Sequence, residues 1–175
     1  MITLTENDKE RFKNIVNKQY SYNDGFSLNI AAIKFINIVV LNNIVDIKNY
    51  LLVNNTSFNY LIDKDGIYEL VEEGWATNGG YKLKRTTSCN PSVPHITIGL
   101  ITNDILNFTE QLLHLSNKLL DFAITKKVRL AINNNIIVLI PEEKSFYNKI
   151  LYKKINNQFV IDTVFKYFRS LFMMY

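Results

Sequence analysis

The chain of 175 residues carries few side chains that do polar chemistry unaided: two histidines, His95 and His114, and one cysteine, Cys89. A single thiol forms no internal disulfide. It also cannot build a cysteine-based zinc or iron–sulfur centre, each of which needs several thiolates. As a nucleophile Cys89 would need an imidazole within hydrogen-bond reach. His95 follows it closely, but Pro91 and Pro94 intervene, and a plain loop thiol is the simpler reading. The two histidines share no His-x-His or His-x-x-x-His spacing, so each reads as a partly exposed side chain rather than a metal ligand. The acid pairs Glu72-Glu73 and Glu142-Glu143 could flank a glycosidic bond only if two carboxyls faced each other across it. Doublets of this kind in loops are ordinarily solvated. Lys82, Lys84 and Arg85 lie close to Tyr81 and Trp75, a basic and aromatic loop suited to gripping an anionic polymer. No phosphate-cradling glycine-rich loop is present. The sequence implies no cofactor.

The elements that must position these groups follow from periodicity. Thr5 caps a helix with acids in its first turn, and Phe12, Ile15 and Val16 form its apolar stripe. Ile36–Leu41 is rich in β-branched residues and reads as a buried strand, broken at Asn42-Asn43. Apolar spacing predicts a helix over Ile44–Leu52. Phe58–Ile62 and Ile67–Val71 read as a hairpin around Asp63-Lys-Asp-Gly66, with Gly66 free to take positive φ. A long loop, Glu72–Pro94, precedes a strand at Ile96–Ile101. Phe108–Phe122 is an amphipathic helix with Leu112, Leu115, Leu119 and Phe122 on one side and Glu110, His114, Lys118 and Asp121 on the other. Val128–Ile132 and Ile136–Ile140 are short strands around Asn133-Asn134-Asn135, and Lys144–Ile150 is a short helix. Gln158–Met174 fits helix and strand equally. This order predicts an α/β (α+β) fold, a mixed central sheet flanked by helices.

Composition narrows the class. Hydrophobic residues make up 47% and charged residues 21%, with 3 Pro and 6 Gly, which excludes disordered, collagen-like and low-complexity chains. The net charge of +4 suits an anionic partner but is too small to point to nucleic acid. Lys supplies 16 of the 20 basic residues, and Asn and Ile abound, a bias typical of AT-rich genomes. No apolar run approaches the roughly 20 residues of a membrane span. The polar, acidic start Met1–Glu10 lacks the features of a secretory signal, so synthesis in the cytoplasm is expected, with residence in a virion left open.

The stretch Phe58-Asn-Tyr-Leu-Ile-Asp-Lys-Asp-Gly66, then Gly74-Trp-Ala-Thr-Asn-Gly-Gly80, then Asn90-Pro-Ser-Val-Pro-His-Ile-Thr-Ile-Gly-Leu100 resembles the zinc amidase superfamily. That group comprises N-acetylmuramoyl-L-alanine amidases, amidase-type phage lysozymes and peptidoglycan recognition proteins. Phe108-Thr-Glu-Gln111 continues the likeness, which spans about Ile33 to Ile150. It implies an amidase-like domain at 31–150, an N-terminal helical extension at 1–30, and an apolar segment at 151–175 packing on the core or a partner.

The resemblance also implies a zinc site, and this chain departs from it. The first His ligand of the family follows the first core strand, where Asn42-Asn43 stand. The second follows a late strand, where Asn133 and Asn134 stand, with Val128–Ile132 as the strand leading to it. The third ligand would fall around Pro141-Glu142-Glu143. Neutral amides are poor zinc ligands. The family's catalytic Tyr falls on Phe58, which has no hydroxyl for a developing oxyanion, and the His after Trp75 is Ala76. The expectation is a catalytically inactive amidase-like domain. The first role expected is a structural component of a phage or virus particle, tail or baseplate. Phe165, Phe168, Phe172 and Tyr175 of the aromatic C-terminal stretch would then meet protein partners. The alternative is non-catalytic binding of peptidoglycan, in a groove walled by Trp75–Arg85. An active zinc amidase comes third.

Overall fold

The computed structural model describes residues 2–20, 35–73, 75, 77, 79, 95–103, 108–124, 136–141, 152–154, 162 and 166. Helix α1 (Glu6–Tyr20) starts at a reciprocal cap. The Thr5 N–H donates to Asp8 Oδ2 at 2.9 Å, and the Asp8 N–H donates to Thr5 Oγ1 at 3.1 Å. Amides left without partners at a helix start are thereby satisfied. Phe12, Ile15 and Val16 are buried, as the stripe predicts.

The strands are β1 (Phe35–Asn42), β2 (Tyr60–Ile62), β3 (Ile67–Glu69), β4 (His95–Thr102), β5 (Ile136–Pro141) and β6 (Tyr152–Lys154). They form one six-stranded sheet in the order β3-β2-β4-β1-β5-β6. The inner strands β2, β4, β1 and β5 run parallel, and β3 and β6 pair antiparallel at the two edges. This is the mixed α/β sheet that the sequence predicts.

Strand alternation sorts the residues onto two faces. Ile36, Ile38 and Val40 of β1 and Ile96, Ile98 and Leu100 of β4 pack against Leu112, Leu115, Leu119 and Phe122 of α3 (Thr109–Ile124). Val39, Leu41 and Ile101 face the other way. They pack against Leu51 and Leu52 of α2 (Ile47–Val53) and Phe12 and Val16 of α1. Each buried aliphatic or aromatic side chain contributes about 1.5–3 kcal/mol. No helix among the described residues is long and apolar enough to cross a membrane.

Two expectations need correction. Helix α2 begins at Ile47, not Ile44, because Asp46 sits in the left-handed region (φ 56°, ψ 51°). Ile44 and Val45 consequently turn outward, 37% and 98% exposed. Gly66 does not take positive φ, and a Cβ there would meet nothing within 4 Å. The turn is held instead by the Asp63 carboxylate, whose Oδ1 accepts from the Asp65 and Gly66 N–H groups at 2.8 and 3.0 Å. Aspartate side chains close turns on their own backbone in this way. The strand expected at Ile136–Ile140 is present as β5, parallel to β1, with Ile36 opposite Ile136 and Val39 opposite Leu139. The expected strand Val128–Ile132, the helix Lys144–Ile150 and the apolar terminus with Phe165, Phe168, Phe172 and Tyr175 lie outside the described residues.

Candidate functional site

In parallel α/β sheets ligands collect beyond the carboxyl ends of the strands, where loops diverge and backbone polar groups are free. A cleft of about 460 Å³ lies at that edge here, beyond the ends of β1, β4 and β2. Asn43 lies in its wall, with its N–H donating to the Thr102 carbonyl at 3.2 Å, so the ends of β1 and β4 stay level. Asp63 and Lys64 of the β2–β3 turn form a second wall, and Asp46 and Lys48 of α2 a third. Gln111 closes the cleft from α3. It is 9% exposed, and its Nε2 donates to the Ile101 carbonyl at 3.0 Å.

The charges here are individually held. Lys48 Nζ lies 2.9 Å from Asp8 Oδ2 and 3.1 Å from the Thr3 carbonyl, so its charge is answered from α1. The Thr5 backbone N–H, and next the Lys48 ammonium, hold the Asp8 carboxyl down at about 2. Asp46 accepts from Asn49 Nδ2 at 2.5 Å. His114 does not line this cleft; its ring nitrogen meets the Lys64 carbonyl at 3.2 Å and braces the turn from behind.

A second hollow, of about 200 Å³, lies on the α1 side and holds Trp75 with Glu69, Glu72 and Glu10. Lys13 Nζ sits 4.6 Å from the Trp75 ring, a cation–π contact. Trp75 lines this hollow and Asn43 the first cleft. Tyr81–Arg85, the rest of the groove wall that the sequence suggests, lies outside the described residues.

The loop carrying Trp75 is fixed by Asn59, a residue that sequence reasoning passed over. Asn59 is fully buried. Its Nδ2 donates to the carbonyls of Glu72 (3.1 Å) and Trp75 (3.2 Å). Its Oδ1 accepts from Thr77 Oγ1 (3.0 Å) and the Thr97 N–H (2.9 Å). The backbone bulges here, so Phe58 and Leu61 share the α1/α2 face although they are three apart in sequence. The signal that could have exposed Asn59 is its place between two aromatics in a strand. A polar side chain there must be satisfied inside.

Tyr60 faces the α3 side. Its hydroxyl donates to Glu73 and, at 3.4 Å, to Glu69. Burial first, then the Glu73 hydrogen bond, raises its pKa, so the hydroxyl stays protonated. Lys118 Nζ lies 4.1 Å above the Tyr60 ring and 3.8 Å from Glu73. This clasp ties the loop to α3.

Of the positions that the resemblance marks as lost ligand or catalytic sites, Asn42 is exposed at the end of β1, and Phe58 is wholly buried under Gly99. The two are not brought together in the cleft. Asn133, Asn134, Tyr81, Lys82, Lys84, Arg85 and Cys89 lie outside the described residues. Among the described residues no three His, Cys, Asp or Glu side chains gather as a metal site. Neutral amides such as those of Asn42 and Asn43 are poor zinc ligands.

No protein-family model matches the chain, and no curated protein matches it. A solved structure does. The hydrolase AmiA from Staphylococcus aureus, in complex with its ligand, superposes with a TM-score of 0.55 at 11% identity. The match covers 96% of this chain and 93% of that one. The fold is thus similar to that of an amidase-fold neighbour.

Proposed function

We propose that this chain is an amidase-like domain that does not hydrolyse. In this reading it holds a ligand at the carboxyl edge of its sheet, and the ligand class is a peptidoglycan fragment. One observation carries the proposal: β1 ends at Asn42 and Asn43 follows, amides where the resemblance places an imidazole ligand. The buried Phe58 supports it, since no phenol hydroxyl is offered at that position. The cleft beside Asn43 supports the binding half, because it offers a polar pocket at the edge where such folds take ligands.

The test is metal content of the purified chain, with clearing of a cell-wall suspension measured beside it. The reading expects no stoichiometric zinc, no clearing, and retention of the chain on sedimented walls. Zinc at one per chain with chelator-sensitive clearing would overturn it.

A second reading, a structural part of a virus particle, is favoured by the terminal stretch Phe159–Tyr175. There Phe165, Phe168, Phe172 and Tyr175 recur on an aromatic, Met-bearing segment. Interface centres are enriched in these residue types. It expects the intact chain to self-associate and a chain lacking 159–175 to be monomeric. A monomeric intact chain that is retained on walls would reject it.

A further inference from the structure

The turn that walls the carboxyl-edge cleft carries one of three dipeptides whose glycine can attack its neighbour. A glycine follows an Asp or Asn at Asp24-Gly25, Asp65-Gly66 and Asn78-Gly79. In each, the glycine nitrogen faces the preceding side-chain carbonyl carbon with no Cβ of its own to obstruct attack. In an unstructured chain the Asn-Gly pair reacts first, because a neutral amide admits a nucleophile more readily than a carboxylate. The fold distributes the means differently. Gly79 is buried, and its N–H donates to the Ser57 carbonyl at 2.8 Å, an acceptor that takes no proton near neutral pH. The Gly66 N–H donates instead to the Asp63 carboxylate, with Oδ1 at 3.0 Å, within the reach of a general base. Asp63 is itself anchored by the Asp65 N–H at 2.8 Å and by the Tyr68 hydroxyl. Asp65 is exposed, and nothing lies within 4 Å of where a Gly66 Cβ would stand. Asp24-Gly25 lies outside the described residues.

We propose that Asp65-Gly66 is a site of spontaneous isomerisation, with Asp63 as the base, and that folding moves it ahead of Asn78-Gly79. The Gly66 nitrogen bonds to the Asp65 side-chain carboxyl carbon, and its proton passes to Asp63. The carboxyl, entering as the acid, loses its hydroxyl, which leaves as water with that proton. A five-membered succinimide remains, and solvent water then opens it. Attack at the side-chain carbonyl restores Asp65. Attack at the main-chain carbonyl breaks the original peptide bond and leaves Gly66 on the side-chain carbon, as isoaspartate. The product lengthens the main chain by one methylene within the turn, where Asp63, Lys64 and Asp65 line the cleft. The wall of the cleft therefore changes shape as the protein ages, whatever ligand the cleft takes.

The full chain is incubated at neutral pH and body temperature, beside a sample in urea, and peptide mapping by mass spectrometry follows the modified dipeptides. In the folded chain, isoaspartate at 65 is expected severalfold ahead of modification at 78. In urea the order is expected to reverse, because intrinsic reactivity then decides. Asp63→Asn keeps an oxygen for both turn amides but offers no base, and should slow the reaction severalfold. Gly66→Ala should slow it too, since a methyl crowds the nitrogen, and it should fold because that methyl meets nothing within 4 Å. Hydrogen exchange at the Gly66 amide separates chemistry from geometry in Asp63→Asn. Slowed isomerisation with the parent's protection supports Asp63 as the base, and slowed isomerisation with lost protection overturns that role. Modification at 78 ahead of 65 in the folded chain, the same order in urea, or the parent's rate in either variant would also overturn the proposal.

Discussion

The two faces of the sheet are built on different principles. Under α3 the core is almost entirely hydrocarbon, Ile36, Ile38, Ile96, Ile98 and Leu100 against Leu112, Leu115, Leu119 and Phe122, with the Tyr60 hydroxyl at its margin. Under α1 and α2 a polar band crosses the sheet. Asn37 and Thr97 are register partners on β1 and β4, and Asn59 continues the band to Thr77, all wholly buried. A hydrocarbon face is specified by volume and tolerates exchange of similar shapes. A polar face is specified by direction where its groups are paired, as around Asn59. The Thr97 hydroxyl, buried beside it, has no hydrogen-bond partner among the described residues. The loop bearing Trp75 hangs from the polar face, so loop placement depends on hydrogen bonds rather than on packing.

The sharpest test of that contrast is Asn59→Leu, close in size but without hydrogen bonds. It strands the Thr97 N–H, removes one partner of the Thr77 hydroxyl and the donor to the Glu72 and Trp75 carbonyls, and should cost on the order of 4 kcal/mol. Trp75 fluorescence should shift to the red as its carbonyl loses the Nδ2 donor. A loss below about 1 kcal/mol, with unchanged fluorescence, would show that the band does not set the loop. On the other face Leu115→Ala should cost about 3 kcal/mol through its cavity, while Leu115→Met should cost less than about 1.5. Both can be read from urea midpoints. If Leu115→Met matched Asn59→Leu, the distinction between volume and direction would fall. Gly99→Ala comes next. Its Cβ would stand 2.7 Å from Leu61 Cδ2 and 2.9 Å from Leu41 Cδ1, side-chain ends that can yield. A cost of about 1–2 kcal/mol follows, from overpacking alone.

The hydrocarbon face was the legible one. The stripe Leu112, Leu115, Leu119, Phe122 and the run from Ile36 to Leu41 announce their burial through period and residue type. The hairpin around Asp63–Gly66 was legible too, though its mechanism was not, since the Asp63 carboxylate does what positive φ at Gly66 was expected to do. What escaped is what depends on partners remote in sequence. Asn59 reaches Thr97 across 38 residues, and no local pattern encodes that. Ile44 and Val45 misled because apolar spacing says nothing about a left-handed residue at Asp46. The candidate cleft was half legible. Asn43 was marked by the resemblance, but Gln111 was noted only within a motif, and its bond to the Ile101 carbonyl follows from how α3 leans on the end of β4.

The smallest expected effect lies at the outer layer of the polar face, where Asp8 joins α1 to α2 through Lys48 at 2.9 Å. The Thr5 N–H and then Lys48 hold the folded carboxyl at about 2, below its ordinary 3.8. A depressed folded pKa contributes stability that is complete above the unfolded value and is lost as pH falls through the folded one. The window therefore runs from about pH 4 down to about pH 2. Asp8→Asn keeps an acceptor for the Thr5 N–H and removes only the charge. At pH 7 it should be less stable than the parent by no more than about 1 kcal/mol, given the partial exposure of the pair. At pH 2 the gap should close, because the parent carboxyl is then being protonated as well. Urea midpoints of both proteins at the two pH values give the answer. A gap of equal size at both would mean that Asp8 acts as a neutral cap and that the charge on Lys48 is answered elsewhere, which would also weaken the case for Lys48 as a spent cation beside the cleft.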